Sequence, residues 1–91
     1  MANNFFIAYD LDSPGQNYSA IEKAILSCGS VIKAQMSLYY LHSPLTKEQI
    51  LERCKQATDS NDLLIVIEAS NAIWTKLLPH ASEFIVANWN T

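Results

Sequence analysis

The run Phe5-Phe6-Ile7-Ala8-Tyr9 limits the fold more than any other stretch of this chain. Extended, it places Phe5, Ile7 and Tyr9 on one face and Phe6 and Ala8 on the other. A strand that is apolar on both faces belongs in the middle of a sheet. The run ends at Asp10, with Asp12 two residues on. An ionised carboxylate at a strand end must stay hydrated or find a partner. Held rigidly by the sheet, Asp10 can face solvent, a second chain or a metal ion, which makes it the leading functional candidate. Its structural alternative is a cap on the turn Asp12-Ser13-Pro14-Gly15, made through backbone hydrogen bonds.

The 91 residues form a single domain, 1–91, large enough for one hydrophobic core without staples. Only two glycines are present, which argues against flexible linkers and against a glycine-rich phosphate loop. The apolar run Leu63–Ile67 is far too short to cross a bilayer. The first residues lack the basic start and small-residue cleavage site of a signal peptide, so a cytoplasmic protein without membrane contact is expected. Net charge is −3, and the cluster Lys47, Arg53 and Lys55 is interleaved with Glu48 and Glu52. That balance weighs against tight non-specific nucleic-acid binding and leaves room for a small local site. Cys28 and Cys54 have neither zinc-ligand nor redox-pair spacing and read as buried free thiols.

A helix is expected from about Tyr18 to Ser27, with Asn17 as N-cap and Gly29 as its C′ residue. Residues 30–42 read as two strands, 30–35 and 37–42, with a bend near 34–37 that no Gly, Asn or Pro marks. Thr46-Lys47-Glu48-Gln49 has the form of a capping box, opening a helix to about Ala57 with Ile50, Leu51 and Cys54 inward. Asp62–Ala69 reads as a strand. A short helix, Ala72–Leu78, ended by Pro79, and a last strand, Glu83–Trp89, complete the chain. The expected class is α+β, a ferredoxin-like βαββαβ arrangement with a short extra helix and a C-terminal fifth strand. Its fourth strand lies at a sheet edge, where an apolar run needs cover. The last strand, from this chain or from a symmetry mate, is the natural cover, and exchange of C-terminal segments in the expected twofold homodimer seals both edges.

Ile7-Ala8-Tyr9-Asp10-Leu11, a helix closed by Gly29, and Gln35-Met36-Ser37-Leu38-Tyr39 together resemble the CRISPR-associated Cas2-type small nucleases and their VapD-like relatives. The resemblance covers most of the chain and implies a ferredoxin-like homodimer. It also implies that the Asp10 carboxylates of two subunits meet near the twofold axis and hold Mg²⁺ or Mn²⁺. Ser37 matches the family's serine position, implying a second catalytic residue that orients a phosphate or a metal-bound water. Two departures bear on function. The arginines common at the start of the family's first helix are absent from Gln16–Ala20, and Tyr40 stands where an acidic residue is frequent. A metal-dependent endonuclease acting on RNA or DNA is therefore weighed against a non-catalytic dimeric module that engages a protein partner.

The remaining candidates read as structural. Ser37 also fits a strand residue bonded to the backbone at a bend. His42 and His80 sit in loops, His42 being the sole general-base candidate outside the carboxylates. Phe5, Phe6, Tyr39 and Tyr40 lack the signature of an RNA-stacking sheet and read as core and dimer-face aromatics. Trp74 and Trp89 read as packing anchors, Trp89 with a further part at an interface.

Overall fold

A computed structural model of the chain describes residues 2–11 and 18–89. These residues form β1 (Asn3–Asp10), α1 (Tyr18–Leu26), β2 (Ser30–Gln35), β3 (Leu38–Ser43), α2 (Lys47–Lys55), β4 (Leu63–Ala69) and α3 (Ala81–Asn88). The four strands make one sheet in the order β2-β3-β1-β4, with every neighbouring pair antiparallel. This is a small α+β fold compatible with the ferredoxin-like arrangement. No helix among the described residues is long and apolar enough to cross a membrane. The turn expected at residues 12–15 and the cap expected at Asn17 lie outside the described residues.

β1 is a central strand, and its two faces feed two separate cores. Phe5, Ile7 and Tyr9 join Tyr39 and Leu41 of β3, Ile21 and Ile25 of α1, and Ile50 and Cys54 of α2 in the first core. Fully burying each large apolar side chain there contributes roughly 1.5–3 kcal/mol. The capping box at the start of α2 is complete. Gln49 N donates to Thr46 Oγ1 at 3.1 Å and Thr46 N to Gln49 Oε1 at 2.9 Å. Leu51, expected to face inward, is exposed, so Ile50 and Cys54 alone carry the buried stripe of this helix. α2 in turn closes α1, because Arg53 Nη1 donates to the Ser27 carbonyl at 3.1 Å. A cation at a helix C-terminus also opposes the helix dipole.

Gly29 follows α1, but its φ lies outside the left-handed region, so it is not a left-handed C′ cap. Its role is steric. A Cβ at Gly29 would lie 2.3 Å from the His42 carbonyl oxygen, so the close passage of β3 excludes any side chain. The bend between β2 and β3 is a two-residue turn, Met36-Ser37, in which Ser37 takes the left-handed conformation at φ 64°. The register of β2 shifts between Lys33 and Gln35, which leaves Ala34 out of the ladder.

That bulge anchors the second core. The Ala34 carbonyl accepts from Leu78 N at 3.0 Å, tying the segment after β4 to the far side of the sheet. Residues 72–78, expected as a helix, are irregular. Going from β4 to β2 crosses three strand spacings, about 14 Å. A seven-residue helix spans only about 10 Å. The Glu83–Trp89 strand is likewise corrected, since Ala81–Asn88 is the helix α3. Ala81 and Ile85 are buried, and Phe84 and Trp89 pack beside them, at one-face helical spacing. A short apolar run without alternation does not separate strand from helix, and the four-residue step decided it. α3 packs over Ala34, Ile32, Leu38 and Tyr40 on the sheet face opposite α1 and α2. Trp89 stacks on Tyr40 at 5.9 Å between ring centroids, and Trp74 Nε1 donates to Ser82 Oγ at 3.0 Å. Both tryptophans are thus anchors within the chain.

Candidate functional site

Asp10 is the last residue of β1, opposite Leu63 of β4. Strand alternation places it on the second face with Phe6 and Ala8, since Phe5, Ile7 and Tyr9 enter the first core. Its carboxylate is exposed, with no hydrogen bond or ion pair among the described residues. Neighbouring positions on that face are apolar and open. Leu63, Ile65 and Ile67 of β4 are 65%, 52% and 46% exposed. They stand opposite Asp10, Ala8 and Phe6 in the β1 register. α3 covers the β2–β3 half of the face and leaves this half bare. The result is an apolar strip along β4 and β1 with a carboxylate at one end.

A groove of about 500 Å³ runs over this end of the sheet, lined by Asp10, Ser37, Met36, Leu38, Leu63 and Ile65 among others. Asp10 and Ser37 therefore border one groove. Ser37 is fixed by its backbone, whose carbonyl accepts from Tyr9 N at 3.1 Å. Its hydroxyl makes no hydrogen bond among the described residues. Among the described residues, none that lines the groove is Lys or Arg. Asp12 lies outside the described residues.

The histidines are elsewhere. His42 is within β3, not in a loop, and pairs with Asn4 at the opposite end of β1 from Asp10. His80 precedes α3 in a left-handed conformation at φ 68°, with Nδ1 3.7 Å from Glu83 Oε2 on the surface. Among the described residues, no group of three or more His, Cys, Asp or Glu side chains could hold a metal ion.

A polar cluster beside the groove escaped the sequence reading. Tyr39 OH donates to Glu22 Oε2 at 2.6 Å, and Tyr9 OH donates to Tyr39 OH at 3.4 Å. Tyr9 lies between two further rings, with Tyr39 stacked at 5.8 Å and Tyr18 tilted at 5.8 Å. Burial raises the Tyr9 and Tyr39 phenols, and for Tyr39 the bond to Glu22 adds to the rise. Both remain hydroxyl donors throughout the physiological range. Lys33 stands directly opposite Tyr39 in the β2–β3 register. A second cavity of about 270 Å³ is lined by Tyr9, Tyr18, Glu22, Lys33, Met36 and Ser37. The signal available in the sequence was Tyr18 and Glu22 one helical turn apart, entering the helix after the Tyr9-Asp10 strand end. Cys54 is inert by comparison, its thiol pushed up to about 12 by burial and then by the nearby Cys28 thiol.

No family model matches the chain, and no curated protein is similar to it. Among solved structures, the chain is similar to a hypothetical protein, TT1823, from Thermus thermophilus. The two share 16% sequence identity at a TM-score of 0.62, over 82% of this chain and 90% of that one. At that identity the likeness speaks to the fold alone, which is shared across nearly the whole of both chains.

Proposed function

We propose that this protein is a Cas2-type homodimer that docks through the bare half of its second sheet face. In this reading the paired Asp10 carboxylates hold Mg²⁺ or Mn²⁺ and support cleavage of an RNA or DNA phosphodiester. The observation that carries the reading is the exposed strip Leu63, Ile65 and Ile67 with Asp10 at its end. Apolar surface of that kind marks an interaction site. A twofold dimer sets one patch against its own copy, so a residue near the axis meets its mate.

Among the described residues one chain offers a single carboxylate at this place, and two chains offer two. Facing carboxylates disfavour each other's charge, and a hard cation relieves that repulsion. Mg²⁺ is bound through one or two carboxylates while keeping several waters, so a donor set of two exposed Asp10 side chains fits it. Such a cation supplies charge neutralisation and Lewis acidity at a phosphodiester. Asp10 anchors it from the rigid end of β1. The Ser37 hydroxyl, carried at the same groove by a tight turn whose backbone is fixed, would hydrogen-bond and orient a phosphate oxygen.

The test is a cleavage assay on single- and double-stranded RNA and DNA with Mg²⁺ and Mn²⁺, wild type beside Asp10→Ala, with sedimentation of both. The expected result is metal-dependent cleavage, reduced at least ~100-fold in Asp10→Ala, with both proteins dimeric. Equal cleavage by the two, or a monomeric wild type, overturns the proposal. A second reading rests on the absence of Lys and Arg from the groove lining. Without cations, phosphate binding and transition-state stabilisation are weak. The chain is then a non-catalytic dimeric module for a protein partner, dimeric but inactive with every divalent metal.

A further inference from the structure

We infer that the cavity bounded by Tyr18, Tyr9, Glu22 and Lys33 is a nucleotide subsite, which seats one base and one phosphate of a single-stranded nucleic acid. The assignment of nucleic acid rests on the nuclease reading above. The geometry of the subsite is independent of it.

Three groups in this cavity match three parts of a nucleotide. Tyr18 is 43% exposed and backed by Tyr9 at 5.8 Å, so it presents an open aromatic ring on a firm support. A base stacked on such a ring suits single strands, whose bases are free to leave their neighbours. Tyr39 OH fixes the Glu22 carboxylate through Oε2, and Oε1 accepts no hydrogen bond among the described residues. That oxygen is an oriented acceptor for an amino group on a base edge. Adenine, cytosine and guanine carry one; thymine and uracil do not. Lys33 forms no ion pair among the described residues and supplies one cation for one phosphate.

Position supports the assignment. The cavity shares Tyr9, Met36 and Ser37 with the groove that holds Asp10. The two lie side by side around one end of the sheet, one on each face. A strand seated on Tyr18 passes Lys33 and Ser37 on its way to the carboxylate. The subsite also fits the acidic composition, because it needs one well-placed lysine rather than a basic face.

The experiment measures fluorescence anisotropy of labelled single-stranded oligoadenylate, oligocytidylate and oligothymidylate in EDTA at several salt concentrations. Metal and cleavage play no part in it, so this inference and the nuclease reading fail separately. Wild type is expected to bind the adenine and cytosine strands more tightly than thymine. Tyr18→Ala weakens binding roughly tenfold, in line with the loss of one base–aromatic stack. Tyr18→Phe, which keeps the ring, retains it. Glu22→Gln narrows the preference for amino-bearing bases. Lys33→Met lowers the salt slope by about 0.7, the share of one phosphate on a single strand. Tyr18→Ala binding like wild type, Tyr18→Phe failing as badly as Tyr18→Ala, or no binding of any oligomer overturns the assignment. Free adenosine monophosphate binding as tightly as the strand overturns the single-strand assignment.

Discussion

The two faces of the sheet are built from alternate residues of the same strands, yet they have different fates. On the first face, Phe5, Ile7 and Tyr9 of β1 lie under two helices and are almost wholly out of water. On the second, α3 seals Tyr40 and Ala34, while Leu63 and Ile65 at the β4 edge stay more than half exposed. Hydrophobic character is similar on both. What differs is reach: α1 and α2 together cover the width of the sheet, and one eight-residue helix covers about half of it. The uncovered half is also where Asp10 ends its strand. An apolar surface left open beside a solvated carboxylate is the feature from which the proposed dimer and its metal site follow.

The largest effect should come from the sealed face. Ile7→Ala opens a cavity between the sheet and its two helices and is expected to lose about 2–5 kcal/mol in urea unfolding, at every protein concentration. A loss below about 1 kcal/mol would mean that the first face is no better packed than the second.

A smaller effect probes the sealed half of the second face. Tyr40 OH donates to Asn4 Oδ1 at 2.6 Å, and burial pushes the phenol up to about 12. The folded value lies above the unfolded one near 10. The stability this provides is therefore complete below about pH 10 and disappears as pH rises through about 12. Denaturation from pH 8 to 12 should show that decline. Tyr40→Phe should make it shallower, leaving the part owed to the raised Tyr9 and Tyr39 phenols, while losing about 1–2 kcal/mol at pH 8 from the missing buried hydrogen bond. An unchanged decline in Tyr40→Phe would move its origin to Tyr9 and Tyr39 on the first face.

The smallest effect on the chain itself should come from the bare half. Ile65→Ser is expected to change the stability of the single subunit by no more than about 0.5 kcal/mol. It should nevertheless remove the concentration dependence of the wild-type Tm that a dimer through this surface requires. Retention of that dependence would place the subunit contact elsewhere.

Local rules made several features legible in advance. The capping box at Thr46 and Gln49 is a short-range pattern whose two hydrogen bonds lie within four residues, so it reads directly. The two-faced strand ending at Asp10 was equally plain, because alternation with apolar residues on both sides has one meaning in a sheet. The β2–β3 bend was harder. Ser37 does there what Gly usually does, and only the surrounding ladder holds it at positive φ. Gly29 reads as a cap because helix-ending glycines look alike in sequence, whereas its neighbour His42 comes from another strand.

The C-terminal third was least legible, and so was the cavity at Tyr18. Phe84-Ile85-Val86-Ala87 satisfies either a strand or a helix until the position of the sheet is known. Glu22, Lys33 and Tyr39 come from three different elements, and no spacing in the chain announces that they meet.

By itself, then, the sequence determined the element types of its first two thirds, the central place of β1 and the carboxylate at its end. Those follow from periodicities and caps that operate within a few residues. Which half of the second face stays open, how residues 70–79 cross the sheet and which side chains surround Tyr18 were decided only by tertiary structure. They depend on contacts between segments far apart in the chain, where the reach of each connection, not the preference of each residue, selects the outcome.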